Sequence, residues 1–175
     1  MSDERRAVRR TGLGMMLLFW VLFLAGGAWW FQGYLDAQRN PNAHLAEVSV
    51  GEGGPVVLAR NRAGHFVATG RINGEPVEFL LDTGATYVAV PEALADRLGL
   101  ERIGSAWFNT ANGRVRGDLA TLETVSLGGY VARDVRGSIS PGLGGETALL
   151  GMSFLGRFDI EIRGEQMVLR SAERL

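Results

Sequence analysis

Hydrophobic and polar positions divide the chain into two contrasting parts. Thr11 to Leu35 holds no charged residue, and its centre, Met15 to Phe31, is almost wholly apolar. Twenty-five uncharged residues in a row exceed the roughly 20 that a helix needs to cross a bilayer, so residues 11–35 are predicted to form one transmembrane helix. Asp36 to Ala46 is polar, contains Pro41 and reads as a linker. From Glu47 to Leu175 short apolar runs alternate with turn signals. Val56–Ala59 precedes a turn at Asn61–Gly64, and His65–Ile72 meets Val77–Leu81 across Asn73-Gly74, a strong hairpin signal. A second hairpin is predicted where Ala106–Thr110 and Arg114–Leu119 flank Ala111-Asn112-Gly113. Leu122–Leu127, Tyr130–Val135, Phe158–Ile162 and Gln166–Arg170 read as further strands. Pro91–Leu98 has Pro at the first helical position, Leu94 and Leu98 one turn apart and Gly99 as a stop, the pattern of a short helix. Short strands with frequent turns specify an all-β barrel or sandwich.

Charge adds orientation. Arg5, Arg6, Arg9 and Arg10 precede the apolar stretch, which places the N-terminus in the cytoplasm and everything after Leu35 outside it. Trp29, Trp30 and Tyr34 lie at the far end, where an aromatic belt belongs. A cleavable signal peptide is the rival reading, since Gly26 and Ala28 are small. Trp29-Trp30-Phe31 prolongs the apolar stretch past that point and favours an uncleaved anchor. With 18 basic and 19 acidic residues, nothing points to a nucleic-acid partner. The 25 glycines suit tight turns. Cysteine is absent, which removes disulfides, thiolate catalysis and cysteine metal sites.

Candidate chemistry concentrates at Phe79-Leu80-Leu81-Asp82-Thr83-Gly84-Ala85-Thr86. A hydrophobic strand delivers one carboxylate into a turn, and apolar sequence resumes at Tyr87. Asp is a poor strand residue. The plain alternative is a turn aspartate, for which Asp-x-Gly is ordinary. Other signals are weaker. Gly151-Met152-Ser153-Phe154-Leu155 misses the Gly-x-Ser-x-Gly elbow by one residue, and His44 and His65 are the two histidines available as bases. Two histidines without a His-Glu-x-x-His pattern do not make a zinc site, so no metal or cofactor is expected. Gly51–Gly54 and Gly142–Gly145 are too short for a phosphate loop. Trp107 and Phe108 read equally as groove-lining or as packed hairpin aromatics.

Residues 79–85 resemble the active-site signature of aspartic proteases throughout: an apolar strand, Asp-Thr/Ser-Gly, then Ala or Ser. From about Gly64 to Arg170 the order of elements is similar to that of a single-lobe, retroviral-type protease. Ala148-Leu149-Leu150-Gly151 resembles that family's second signature, followed by a short helix at Met152–Leu155. Within that family the chain resembles the bacterial, membrane-anchored retropepsin-like proteases. The resemblance implies a retropepsin-like barrel with one or two short helices after one transmembrane helix. It implies Asp82 as catalytic carboxylate, Thr83, Gly84 and Ala85 as the active-site loop, and Thr110, Ala111, Asn112 and Gly113 as the flap. Leu149, Leu150 and Gly151 would form the strand crossing behind that loop.

Aspartic proteases work with two carboxylates sharing one proton. Asp118, Asp134 and Asp159 lack a following Thr/Ser-Gly, and residues 47–175 amount to one lobe. The resemblance therefore implies a homodimer with one Asp82 from each copy. Ala85 offers no hydroxyl to the carboxylates, so activity at mildly acidic pH is expected. The expected protein is an endopeptidase in the bacterial cytoplasmic membrane, facing the periplasm and acting on peptides. A catalytically silent peptide-binding module at the membrane surface is the alternative.

Overall fold

The computed structural model describes residues 2–48, 54–110 and 113–172, with side chains for all of these except 2–11 and 110. Two compact units emerge, Met1–Gln38 and Arg39–Leu175. In the first, a single helix, α1 (Ser2–Arg39), extends the predicted span at both ends. Arg- and Glu-containing flanks continue a helix without penalty, so charge marks the edge of the apolar stretch and not of the helix. Its segment Gly12–Arg39 is long and apolar enough to cross a membrane. Leu13 to Leu35 is exposed in the unit, as an apolar helix without protein neighbours must be.

The second unit opens with a 3-10 turn, Ala43–Glu47, and continues in short strands. These are β1 (Val56–Ala59), β2 (Val67–Ile72), β3 (Glu75–Leu81) and β4 (Val88–Pro91), then helix α2 (Glu92–Arg97). Then come β5 (Gly104–Thr110), β6 (Gly113–Leu127), β7 (Tyr130–Ser140), β8 (Ala148–Leu150), helix α3 (Met152–Leu155), β9 (Phe158–Arg163) and β10 (Gln166–Ser171). The large sheet runs β2-β3-β8-β4-β7-β6-β5, and β2 also pairs with β6. That extra pairing, Arg71 with Ser126 and Ile72 with Val125, closes six strands into a barrel and leaves β5 as an appendage of β6. β1, β10 and β9 form a small antiparallel sheet. The architecture is the all-β, retropepsin-like barrel with short helices that the sequence implied.

Local chemistry accounts for most turns. Asn73 and Gly74 take positive φ (50° and 85°), the pair of left-handed conformations that a two-residue hairpin requires. They bring Ile72 against Glu75. Inside the barrel, Ile72, Phe79, Val88, Val90, Leu122, Leu127 and Leu150 are fully buried, with Leu94, Phe154 and Leu155 of the two helices packed on them. Burial of this alternate-position set defines the register, because a one-residue slip would turn it to solvent.

Strand β7 runs on to Ser140, beyond the predicted Tyr130–Val135, and two further elements differ from their predicted form. Arg114–Leu119 and Leu122–Leu127 are one 15-residue strand, β6. Ala120 is buried, and Thr121 is exposed and pairs with Arg136, so the interval continues the in–out alternation of a single strand. Pro91 ends β4 and caps α2 with extended backbone (φ −57°, ψ 146°), instead of starting the helix. Its missing N–H falls at the last residue of the strand, where the parallel pairing of β4 with β7 (Val88–Pro91) ends.

Candidate active site

Strand β3 places Asp82 where the barrel opens. Leu81 pairs in parallel with Leu150 of β8, and Asp82 N–H donates to the Leu150 carbonyl at 3.1 Å. The carboxylate then leaves the sheet half-buried, while Thr83 and Gly84 are exposed. Gly84 N–H donates to Asp82 Oδ1 at 2.8 Å, and Ala85 N–H to the Asp82 carbonyl at 3.2 Å. A side chain at 84 would lie 3.1 Å from Asp82 Oδ1, so glycine lets the backbone donor reach the carboxylate. Among the described residues Asp82 accepts no other side-chain hydrogen bond. A solvent-facing carboxylate oxygen is thus left free at the tip of a tightly turned loop.

The loop is held from below by the segment after β8. Met152 N–H donates to the Ala85 carbonyl at 2.8 Å and Ser153 N–H to the Thr86 carbonyl at 2.9 Å. Gly151 passes against the Tyr87 and Ala85 carbonyls so closely that a Cβ there would collide with both. Leu150 is buried, Leu149 half-buried and paired with Ala89. The structure therefore brings Leu149, Leu150 and Gly151 directly beneath Asp82, Thr83, Gly84 and Ala85.

Ser153 has a different task from the nucleophile its near-motif suggested. Its Oγ donates to the Arg136 carbonyl at 2.7 Å and accepts from Val88 N–H at 3.0 Å. Both bonds go to backbone, and they tie α3 to β4 and β7. No nearby sequence signal marks this role, since its partners lie 17 and 65 residues away.

Strands β5 and β6 form the predicted hairpin, in register from Gly104 with Leu119 to Thr110 with Gly113. Gly113 has φ 110°, open to glycine alone at low cost. Ala111 and Asn112, expected at the flap tip, lie outside the described residues, as does the Thr110 side chain. One face of the hairpin carries Trp107, 59 % exposed, with the Arg114 guanidinium 5.1 Å from its ring centre. The other carries half-buried Phe108, edge-on to Tyr87 with ring centres 6.1 Å apart. So one aromatic is exposed and the other packed.

At the hairpin base, Arg102 reaches Asp96 of α2 at 2.7 Å and Asp118 of β6 at 3.3 Å. The hydrogen bond that Arg102 donates to Asp96 and that carboxylate's charge push the Arg102 guanidinium up, with Asp118 and Glu92 adding to them. Among the described residues no group of His, Asp and Glu could hold a metal ion. His65 is exposed, its N–H bonded to Asn61.

The chain is similar to known proteins in sequence and fold. A family profile described as "gag-polyprotein putative aspartyl protease" matches residues 68–157, more than half the chain. A crystal structure of a retropepsin-like aspartic protease from Rickettsia conorii superposes with a TM-score of 0.58 and 32 % identity, over 67 % of this chain and 100 % of that one. An uncharacterised protein of a Sinorhizobium species is 30 % identical over 119 residues, 66 % of this chain and 51 % of its own length. An uncharacterised protein of Rickettsia prowazekii (strain Madrid E) is 29 % identical over 162 residues, 89 % of this chain and 69 % of its own. The chain spans about half the length of the first of these two curated relatives.

Proposed function

Because the chain belongs to the retropepsin-like aspartic protease family, we propose that it is an aspartic endopeptidase whose catalytic pair is Asp82 from each of two copies. The observation that carries this reading is the Asp82 carboxylate, half-buried at the end of β3, with one oxygen held by Gly84 N–H and the loop around it exposed. One carboxylate of the pair acts as general base on a water and the other as acid toward the peptide carbonyl, because like charges in contact cannot both ionise. A two-fold axis beside Thr83 and Gly84 supplies the second carboxylate. Thr83 is exposed and without a side-chain partner among the described residues, so its hydroxyl is free for the loop of the second copy. The β5–β6 hairpin is the flap, with Thr110, Ala111, Asn112 and Gly113 at its tip.

Helix α1 serves as an uncleaved anchor in the bacterial cytoplasmic membrane. Four arginines ahead of its uncharged stretch, at 5, 6, 9 and 10, favour a cytoplasmic N-terminus and a periplasmic protease unit. The substrate is a peptide or protein exposed on that side.

The test is Asp82→Asn in the full chain, incubated with a peptide mixture and read for new termini. Cleavage should disappear while the thermal transition holds or rises slightly, since a repulsion is relieved. Cutting at the parental rate by the variant would end this reading. A parent that binds peptides but never cuts them would point to a silent binding module.

A further inference from the structure

We propose that Tyr87 is a positioning residue that sets the resting place of the flap through its contact with Phe108, an inference that rests on reading the β5–β6 hairpin as the flap of the cleft. β5 is the outer strand of its sheet and pairs with β6 alone. Its other ties mostly return to the same hairpin: Arg116 donates to Ser105 at 2.8 Å, and Arg114 sits over Trp107. Among the described residues, the contact of Phe108 with Tyr87 is the ring contact or hydrogen bond from β5 that leaves the hairpin.

Both partners are placed firmly. A side chain at 117 would meet the Phe108 ring at 3.2 Å and the Ile139 carbonyl at 2.7 Å. Glycine there lets the ring lie back onto β6 and point toward the loop. Tyr87 lies five residues after Asp82, its carbonyl packs on Gly151, and the next N–H is fixed by Ser153. Its hydroxyl makes no hydrogen bond among the described residues, so the ring is the part that works. A displacement of the flap thus breaks one edge-to-face pair, and the pair transmits the position of the catalytic loop to the hairpin above it.

Such a pair contributes enough to shift an open–closed balance about 2- to 12-fold. The experiment is amide hydrogen exchange of the full chain in nanodiscs, alongside peptide-cleavage kinetics, for Tyr87→Phe, Tyr87→Leu, Phe108→Leu and the double Leu variant. Tyr87→Phe should match the parent. Either single Leu variant should raise exchange in residues 104–117 by about 2- to 12-fold, leave β4 and β7 unchanged, and raise KM with little change in kcat. The double variant should go no further than either single one. Unchanged flap exchange in Tyr87→Leu, or exchange raised equally through β4 and β7, would overturn the proposal. So would a Tyr87→Phe variant that behaves like Leu, because the hydroxyl would then be the active part. If the exchange pattern appears but the parent cuts no peptide, the positioning contact stands and the protease reading fails.

Discussion

Gly151 and Asn42 are the residues at which the smallest change should be felt most. A methyl at 151 has backbone carbonyls of Tyr87 and Ala85 in its way, and neither can rotate aside as a side chain would. Gly151→Ala should therefore cost about 1–3 kcal/mol, read as a lower urea midpoint, with peptide cleavage falling further because the Asp82 loop must shift. A variant as stable as its parent would show that the loop yields. Asn42 is 2 % exposed and its amide makes three bonds. Nδ2 donates to the Ala59 and Val67 carbonyls at 2.8 and 2.7 Å, and Oδ1 accepts from Ala59 N–H at 2.8 Å. It stitches β1 to β2 and hence the small sheet to the barrel. Asn42→Ala strands those backbone groups and should lower stability by about 2–4 kcal/mol. Asn42→Asp should be at least as damaging, since a carboxylate cannot donate to the two carbonyls.

At the scale of elements, the β9–β10 hairpin offers a clean electrostatic test. Glu161 faces Arg170 at 3.0 Å and also contacts Arg163. The Arg170 hydrogen bond first, and then that of Arg163, hold its carboxyl below the ordinary carboxylate value. A depressed carboxylate stabilises the fold above its unfolded pKa, and that contribution is lost as pH falls through the lower folded value. Glu161→Gln should thus be slightly less stable than the parent at neutral pH and equal to it in strong acid. The difference should also shrink in high salt, because the pair is solvent-exposed. A gap that persists in acid would mean packing and not charge. The same hairpin bears on assembly. β10 is already paired on both edges, by β1 and β9, so a second copy that adds a strand to this sheet would meet the outer edge of β1 or β9.

For the whole molecule, the proposed mechanism makes activity a property of two chains. One copy supplies one Asp-Thr-Gly, so specific activity should rise with concentration at high dilution and level off once dimers dominate. Sharing one membrane face raises effective concentration, so activity in nanodiscs holding two copies should exceed that in nanodiscs holding one. Joining two full chains in tandem should restore activity at dilution, and joining the parent to Asp82→Asn should not. Concentration-independent cutting by a chain that sediments as a monomer would refute the shared pair. Orientation is open to a separate check: protease added to spheroplasts should digest residues after the anchor and spare the N-terminal tail. Full protection would reverse the topology.

Short-range chemistry was legible in the chain itself. The uncharged stretch 11–35 announces a lone helix, Asn73-Gly74 a two-residue hairpin, and the apolar run ending in Asp82-Thr83-Gly84 a strand that breaks into a turn. Each depends on neighbours a few residues away, so periodicity and turn residues suffice. The order of strands is another matter. The closing pairing of β2 with β6 and the parallel pairings of β3 with β8 and β4 with β7 join segments far apart in sequence. Burial summed over the whole core selects them, and no local pattern encodes that sum. Polar roles were hidden for the same reason. Ser153 resembled part of a nucleophile motif until its two backbone partners appeared. Asn42, in a stretch that looked like linker, becomes a bracket only once Ala59 and Val67 fold around it. Tyr87 and Phe108 meet only because the barrel brings the β5–β6 hairpin back to the segment that follows Asp82. Sequence alone determined where the carboxylate, the turns and the apolar helix lie. Tertiary structure decided what surrounds them, because a side chain's partners are chosen by long-range packing.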